Sequence, residues 1–143
     1  SDQEVADKQD EDVKTEEATD LTGTARILLV EDEEAVRSFS TRALSNKGYD
    51  VVGAVHGENA LDVLEKEDNK AIDLLITDVM MPGMDGPTLA QRLRQDSPEL
   101  KIVFISGYSE DKLKDHMGEG IFFLPKPFTL KQLAAKVKTA LED

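Results

Sequence analysis

Short apolar runs alternate with stretches whose apolar residues recur every three or four positions, from residue 26 to the end of the chain. Ile27-Leu28-Leu29-Val30 is the first run. An unbroken apolar run of this length reads as a strand buried on both faces. It ends in Glu31-Asp32-Glu33-Glu34, and acids suit the first turn of a helix, where the macrodipole favours negative charge. Val36, Phe39, Ala43 and Leu44 follow at helical spacing, and Gly48 after Lys47 marks the stop. Residues 49–55 read as a second strand, and residues 58–67 as a helix with Leu61 and Leu64 inward. Leu74-Leu75-Ile76-Thr77 is a third strand that ends at Asp78.

The loop Met81-Pro82-Gly83-Met84-Asp85-Gly86 carries Pro and Gly punctuation. Asp85 is placed to cap the helix that follows, which runs through Leu89 and Leu93 and stops before Pro98. Ile102-Val103-Phe104-Ile105 is the fourth strand. Ser109 is a candidate cap for a short helix over 110–117. Ile121-Phe122-Phe123-Leu124 is the fifth strand. Thr129 is placed to cap a last helix, with Leu130, Leu133, Ala134, Val137 and Leu141 in one apolar stripe. Five apolar strands alternating with five amphipathic helices predict an α/β fold, a parallel sheet covered on both faces.

The first 25 residues lack this pattern. Nine acids and two bases there sum to −7, leaving −6 of the total −13 for the rest. So polar a stretch buries too little apolar surface to fold alone. Residues 1–25 are expected to be a disordered acidic linker or tail, and residues 26–143 one domain. Ser1 in place of an initiator methionine is the expected mark of a piece of a longer protein, or of an expression scar.

Composition narrows the function. There is no cysteine, so disulfides and thiolate metal sites are excluded. No apolar run approaches the ~20 residues of a membrane helix, and no basic-then-apolar leader is visible. A cytoplasmic protein, or the cytoplasmic end of a membrane-bound kinase, is expected, with no membrane contact by this segment. The charge of −13 argues against direct nucleic-acid binding, which needs a positive surface. It suits a carboxylate host for a hard cation such as Mg2+.

Several polar residues fall where apolar strands end: Glu31 and Asp32, Asp78, Ser106, and Lys126. Ligands of open parallel sheets bind at those ends. Each residue taken singly has an ordinary reading as a helix-start acid, a turn residue or a solvated lysine. Their placement on one edge of one sheet favours a shared site.

The segments Leu29-Val30-Glu31-Asp32-Glu33, Thr77-Asp78-Val79-Met80-Met81-Pro82-Gly83-Met84-Asp85-Gly86, Phe104-Ile105-Ser106-Gly107 and Lys126-Pro127-Phe128 together resemble the receiver domain of two-component response regulators. The resemblance covers residues 26 to about 142. With the acidic linker, it is more narrowly similar to the C-terminal receiver of a hybrid histidine kinase of the CckA kind.

The resemblance implies a flavodoxin-like, doubly wound (βα)5 fold with strand order 2-1-3-4-5. It implies that Asp78 takes a phosphoryl group from a phosphohistidine in a Mg2+-dependent reaction, then passes it on or switches conformation. Glu31, Asp32, Asp78 and the Met80 carbonyl would hold the Mg2+, with Asp32 a direct ligand and Glu31 acting through water. Lys126 and Ser106 would contact the phosphoryl oxygens. Ser106 and Phe123 would form the switch, with Phe where Tyr is common. Partners would read the surface of the fourth and last helices and the fifth strand. Pro127 would follow a cis peptide bond. The domain would catalyse its own phosphorylation and dephosphorylation without being a turnover enzyme.

Neither Met80 nor Tyr108 offers a group to orient a hydrolytic water, so self-dephosphorylation is expected to be slow. The expected partner is a histidine phosphotransferase or a kinase dimerisation domain, docking near the first helix at Phe39, Ser40 and Ala43. Any effect on transcription is expected to pass through that partner. His56 and His116 read as isolated surface residues.

Two alternatives use the same edge. A Mg2+-dependent aspartyl phosphatase would need a second acid two residues after Asp78, where Met80 stands. A docking receiver that is never phosphorylated is expected to have lost an acid or the lysine, and none is lost.

Overall fold

The computed structural model describes residues 24–106 and 118–143. The expected helix over 110–117, residues 1–23 of the expected linker, Tyr108, Ser109 and His116 lie outside the described residues. Ala25, at the end of the expected linker, is 1% exposed and packs in the core.

Five parallel strands form one sheet: β1 (Arg26–Val30), β2 (Asp50–Ala54), β3 (Leu74–Asp78), β4 (Lys101–Ser106) and β5 (Ile121–Pro125), in the order β2-β1-β3-β4-β5. The helices among the described residues are α1 (Glu34–Asn46), α2 (Gly57–Lys66), α3 (Gly86–Asp96) and α4 (Leu130–Glu142). None is long and apolar enough to cross a membrane.

The unbroken apolar runs are explained by two buried faces. Ile27 and Leu29 of β1 join Ile76, Val103 and Leu124 against Leu44 of α1 and Leu133 and Val137 of α4. Leu28 and Val30 point the other way, joining Leu75, Ile102, Phe104 and Phe123 against Ala60 and Leu64 of α2 and Leu89 of α3. Successive strand side chains alternate faces, so a strand covered on both sides shows no polar positions.

Three helix starts are secured by side chains. Asp85 Oδ1 accepts the Thr88 N–H at 2.8 Å. Thr129 and Gln132 form a reciprocal capping box. His56, read from sequence as an isolated surface residue, is half-buried and caps α2, its Nδ1 accepting the Asn59 N–H at 3.1 Å. Asn59 returns the contact by accepting the Val55 N–H at 2.8 Å.

Two expectations need correction. Ser40, assigned to a partner surface, is 1% exposed and faces inward. Leu130, assigned to the inward stripe of the last helix, is exposed. It is the first residue of α4, next to the Thr129 cap, and the buried stripe begins one turn later at Leu133.

Candidate functional site

The strand register builds the site. Val30 pairs with Thr77, so Glu31 and Asp78 come level at the carboxyl edge of the sheet. Asp78 pairs with Ile105, which puts Ser106 one step beyond. Ser106 in turn pairs with Pro125, and Lys126 follows. Residues up to 95 positions apart in the chain thus meet on one edge, from Glu31 to Lys126.

Carboxylate oxygens of Glu31, Asp32 and Asp78 all lie within 4.8 Å of one another. Glu31 and Asp78 are buried, while Asp32 is exposed. The Lys126 ammonium stands 3.2 Å from Asp78 Oδ1 and 3.7 Å from Glu31 Oε1. Glu31 Oε2 accepts the Glu33 N–H at 3.0 Å, whereas Glu31 Oε1 is buried without a hydrogen-bond partner.

Burial sets the electrostatics. Burial raises the Glu31 carboxyl most; the Glu33 N–H and the Lys126 charge oppose it, the Asp78 charge adds to it, and the net is a rise from 4.5 to about 7. The Asp78 carboxyl is raised by the same loss of solvent, despite the opposing charge of Lys126. For Lys126, burial works against the charge, but Asp78 outweighs it and the pKa is raised. Lys126 is the more exposed partner of that pair, so solvent screens its field. This is why one ammonium does not hold both acids in the ordinary carboxylate range.

Three carboxylates against one ammonium leave a net of −2 when all are ionised. A hard divalent cation is the species that such an oxygen set and such a charge deficit fit. The unpartnered buried Glu31 Oε1 agrees with that fit, because a buried polar atom without a partner is unfavourable. When bound, such an ion would neutralise the acids and leave Asp78 ionised.

The remaining predicted residues lie around this group. Ser106 is half-buried at the end of β4. The Met80 side chain is 71% exposed in the loop after β3. Phe123 lies in the core, its ring centroid 5.9 Å from that of Phe104. The Lys126–Pro127 bond is cis. Beyond it, Phe128 meets the half-exposed Phe39 of α1 edge-on, with centroids 6.3 Å apart.

Residues 27–138 match the response regulator receiver domain family. The chain belongs to that family. It is 50% identical over 131 residues to the sensor kinase CckA of Brucella abortus, a match that takes in 90% of this chain and 14% of the kinase. It is 36% identical to the response regulator receiver protein CpdR of the same organism, over 81% of this chain and 96% of that one. The crystal structure of the receiver domain from the hybrid histidine kinase CckA superposes with a TM-score of 0.69 at 48% identity, covering 81% of this chain and 98% of that one. Receivers are the phosphoacceptor modules of two-component signalling, generally bind Mg2+ at an acidic site, and interact with histidine kinases or phosphotransferases.

Two features of this receiver's site were not read from the sequence. Gly86 is needed because a Cβ there would collide with the Asp78 carbonyl, while its N–H donates to the Val79 carbonyl at 2.9 Å. A glycine just after the capping Asp85 was the available signal. Arg37 reaches back from α1 to donate to the Glu31 carbonyl at 2.8 Å. A base one turn after an acid pair was the only hint.

Proposed function

We propose that Asp78 is the phosphoacceptor of this receiver, and that Glu31, Asp32, Asp78 and the Met80 carbonyl hold its Mg2+. The observation that carries this reading is the Lys126 ammonium 3.2 Å from Asp78 inside the carboxylate cluster. One Asp78 oxygen forms a bond to phosphorus as the P–N bond to a donor histidine breaks. The electron pair stays on the imidazole nitrogen, which takes its proton from solvent. Phosphoryl transfer mainly requires position and compensation of charge on the equatorial oxygens. A cation held by Glu31, Asp32 and Asp78 would supply part of that compensation. Lys126 supplies more from the end of β5, across β4, and the Ser106 hydroxyl donates to a third oxygen. Ser106 and Phe123 carry the change of state toward the partner surface.

The chain spans 14% of the length of its sensor kinase relative. We assign it the work of that kinase's receiver region, exchanging phosphate with a histidine phosphotransferase or kinase dimerisation domain that docks at Phe39 and Ala43 of α1. The acidic stretch before Ala25 serves as the linker to the rest.

Intact mass after incubation with acetyl phosphate and Mg2+ tests the assignment. One adduct of about 80 Da is expected for wild type, and none for Asp78→Asn or in EDTA. If small donors give no adduct, a phosphorylated histidine protein is the second donor. Failure with both, or an adduct retained in Asp78→Asn, overturns the reading.

A further inference from the structure

Three hydrogen bonds close a ring around Asp32. The Glu33 N–H donates to Glu31 Oε2 at 3.0 Å. The Arg37 N–H donates to the Glu33 carbonyl at 2.9 Å. Arg37 Nη1 then donates to the Glu31 carbonyl at 2.8 Å. The Glu31 N–H is held as well, by the Ala54 carbonyl of β2 at 3.0 Å. The Arg37 stem crosses β2 at Gly53, where an added Cβ would lie 3.7 Å from Arg37 Cδ.

Asp32 is the exposed member of a group of like charges. Glu31 and Asp78 are confined by burial, so Asp32 is the acid with room to swing away from the repulsion. The peptide joining Glu31 to Asp32 sets the direction of the Asp32 Cα–Cβ bond, and so which positions the side-chain rotamers of Asp32 can reach. Arg37 bonds the carbonyl of that same peptide, and a guanidinium hydrogen bond is stronger than a neutral one. We propose that Arg37 is a positioning residue for the cation site, holding the peptide between Glu31 and Asp32 so that the Asp32 carboxylate stays beside Asp78. This rests on the cation reading above. Partners that orient a ligand without touching the ion contribute substantially to affinity in other metal sites.

Mg2+ titration by calorimetry tests the role, with urea unfolding in EDTA run in parallel. The variants are Arg37→Ala, Arg37→Lys and Arg26→Ala. Arg26 lies at the amino end of the sheet, so its loss lowers stability without touching the site. Arg37→Ala is expected to weaken Mg2+ binding by about 10-fold, the low end for loss of such a partner. Arg37→Lys, which keeps one donor, is expected to fall between Arg37→Ala and wild type. Arg26→Ala is expected to bind as wild type does. If Arg37→Ala does not fold, Arg37→Lys and Arg37→Gln carry the same comparison, both weaker than wild type. An Arg37 variant that binds like wild type, or no worse than Arg26→Ala, overturns the inference. Wild type that binds no Mg2+ overturns the cation reading itself, and the inference with it.

Discussion

The two ends of the sheet each gather three acids around one base, and they use them differently. At the amino end, Arg26 donates to Asp50 at 2.7 Å and to Glu67 at 2.9 Å, while its main-chain N–H donates to Asp73 at 2.8 Å. Asp50, Glu67 and Asp73 are all exposed. Burial works against the Arg26 charge, yet its hydrogen bonds to Glu67 and Asp50, with the charges of those acids, outweigh it and the pKa is raised. At the carboxyl end the base is the exposed partner and two of the acids are buried. There the pKa values of the two buried acids, Glu31 and Asp78, rise, and their charged form is the disfavoured one. Similar residue types therefore give a tie between β1, β2 and α2 at one end, and a cluster of unbalanced charge at the other. Burial of the carboxylates makes the difference, because desolvation disfavours an ion unless partners compensate.

The contrast breaks most completely at Gly86. Gly86→Ala drives a methyl group into the Asp78 carbonyl, and is expected to cost about 3 kcal/mol in urea unfolding, at the upper end for overpacking. The strain falls on the strand end that presents Asp78, the proposed acceptor, so the Mg2+-dependent adduct should be lost even where the variant folds.

The next test concerns pH. Glu31 binds its proton more tightly folded, at about 7, than at its ordinary 4.5. Its contribution to stability is fully present below pH 4.5 and is lost as pH rises through about 7. Without divalent cation the domain should therefore lose stability across that window. Glu31→Gln should flatten the fall and leave the metal-free protein about 1 kcal/mol more stable at neutral pH. Urea midpoints in EDTA over the same pH range check both. A wild type whose stability is level across the window would refute the contrast between the two ends.

Arg26→Ala sharpens the other side. It removes two ion pairs with exposed acids, and should cost about 1 kcal/mol while leaving the yield of phosphoryl adduct unchanged. The smallest effect is expected at Ser40, whose hydroxyl is buried without a hydrogen-bond partner. Ser40→Ala should raise stability by about 0.5 kcal/mol, since it removes an unsatisfied polar atom.

Much of this was legible in the chain. The apolar runs located the strands because both sheet faces are covered, and the polar residues at their ends located Glu31, Asp32, Asp78, Ser106 and Lys126. Local chemistry sufficed for the Asp85 and Thr129 caps, whose partners lie three residues away. It failed for Ser40 and Leu130, because helical spacing gives a face and not its limits. Phe39 and Ser40 are adjacent in the chain, and the packing exposes one and buries the other.

The sequence by itself determined the βα alternation, the strand ends and the types of residue gathered there, since these follow from local hydrophobic period and local capping. Only the tertiary structure decided the charge balance. Arg26 finds its partners 24, 41 and 47 residues away, and Lys126 approaches Asp78 across β4. Whether an acid in such a cluster is solvated and ordinary, or buried with a raised pKa, depends on distances and solvent exclusion that no stretch of sequence contains.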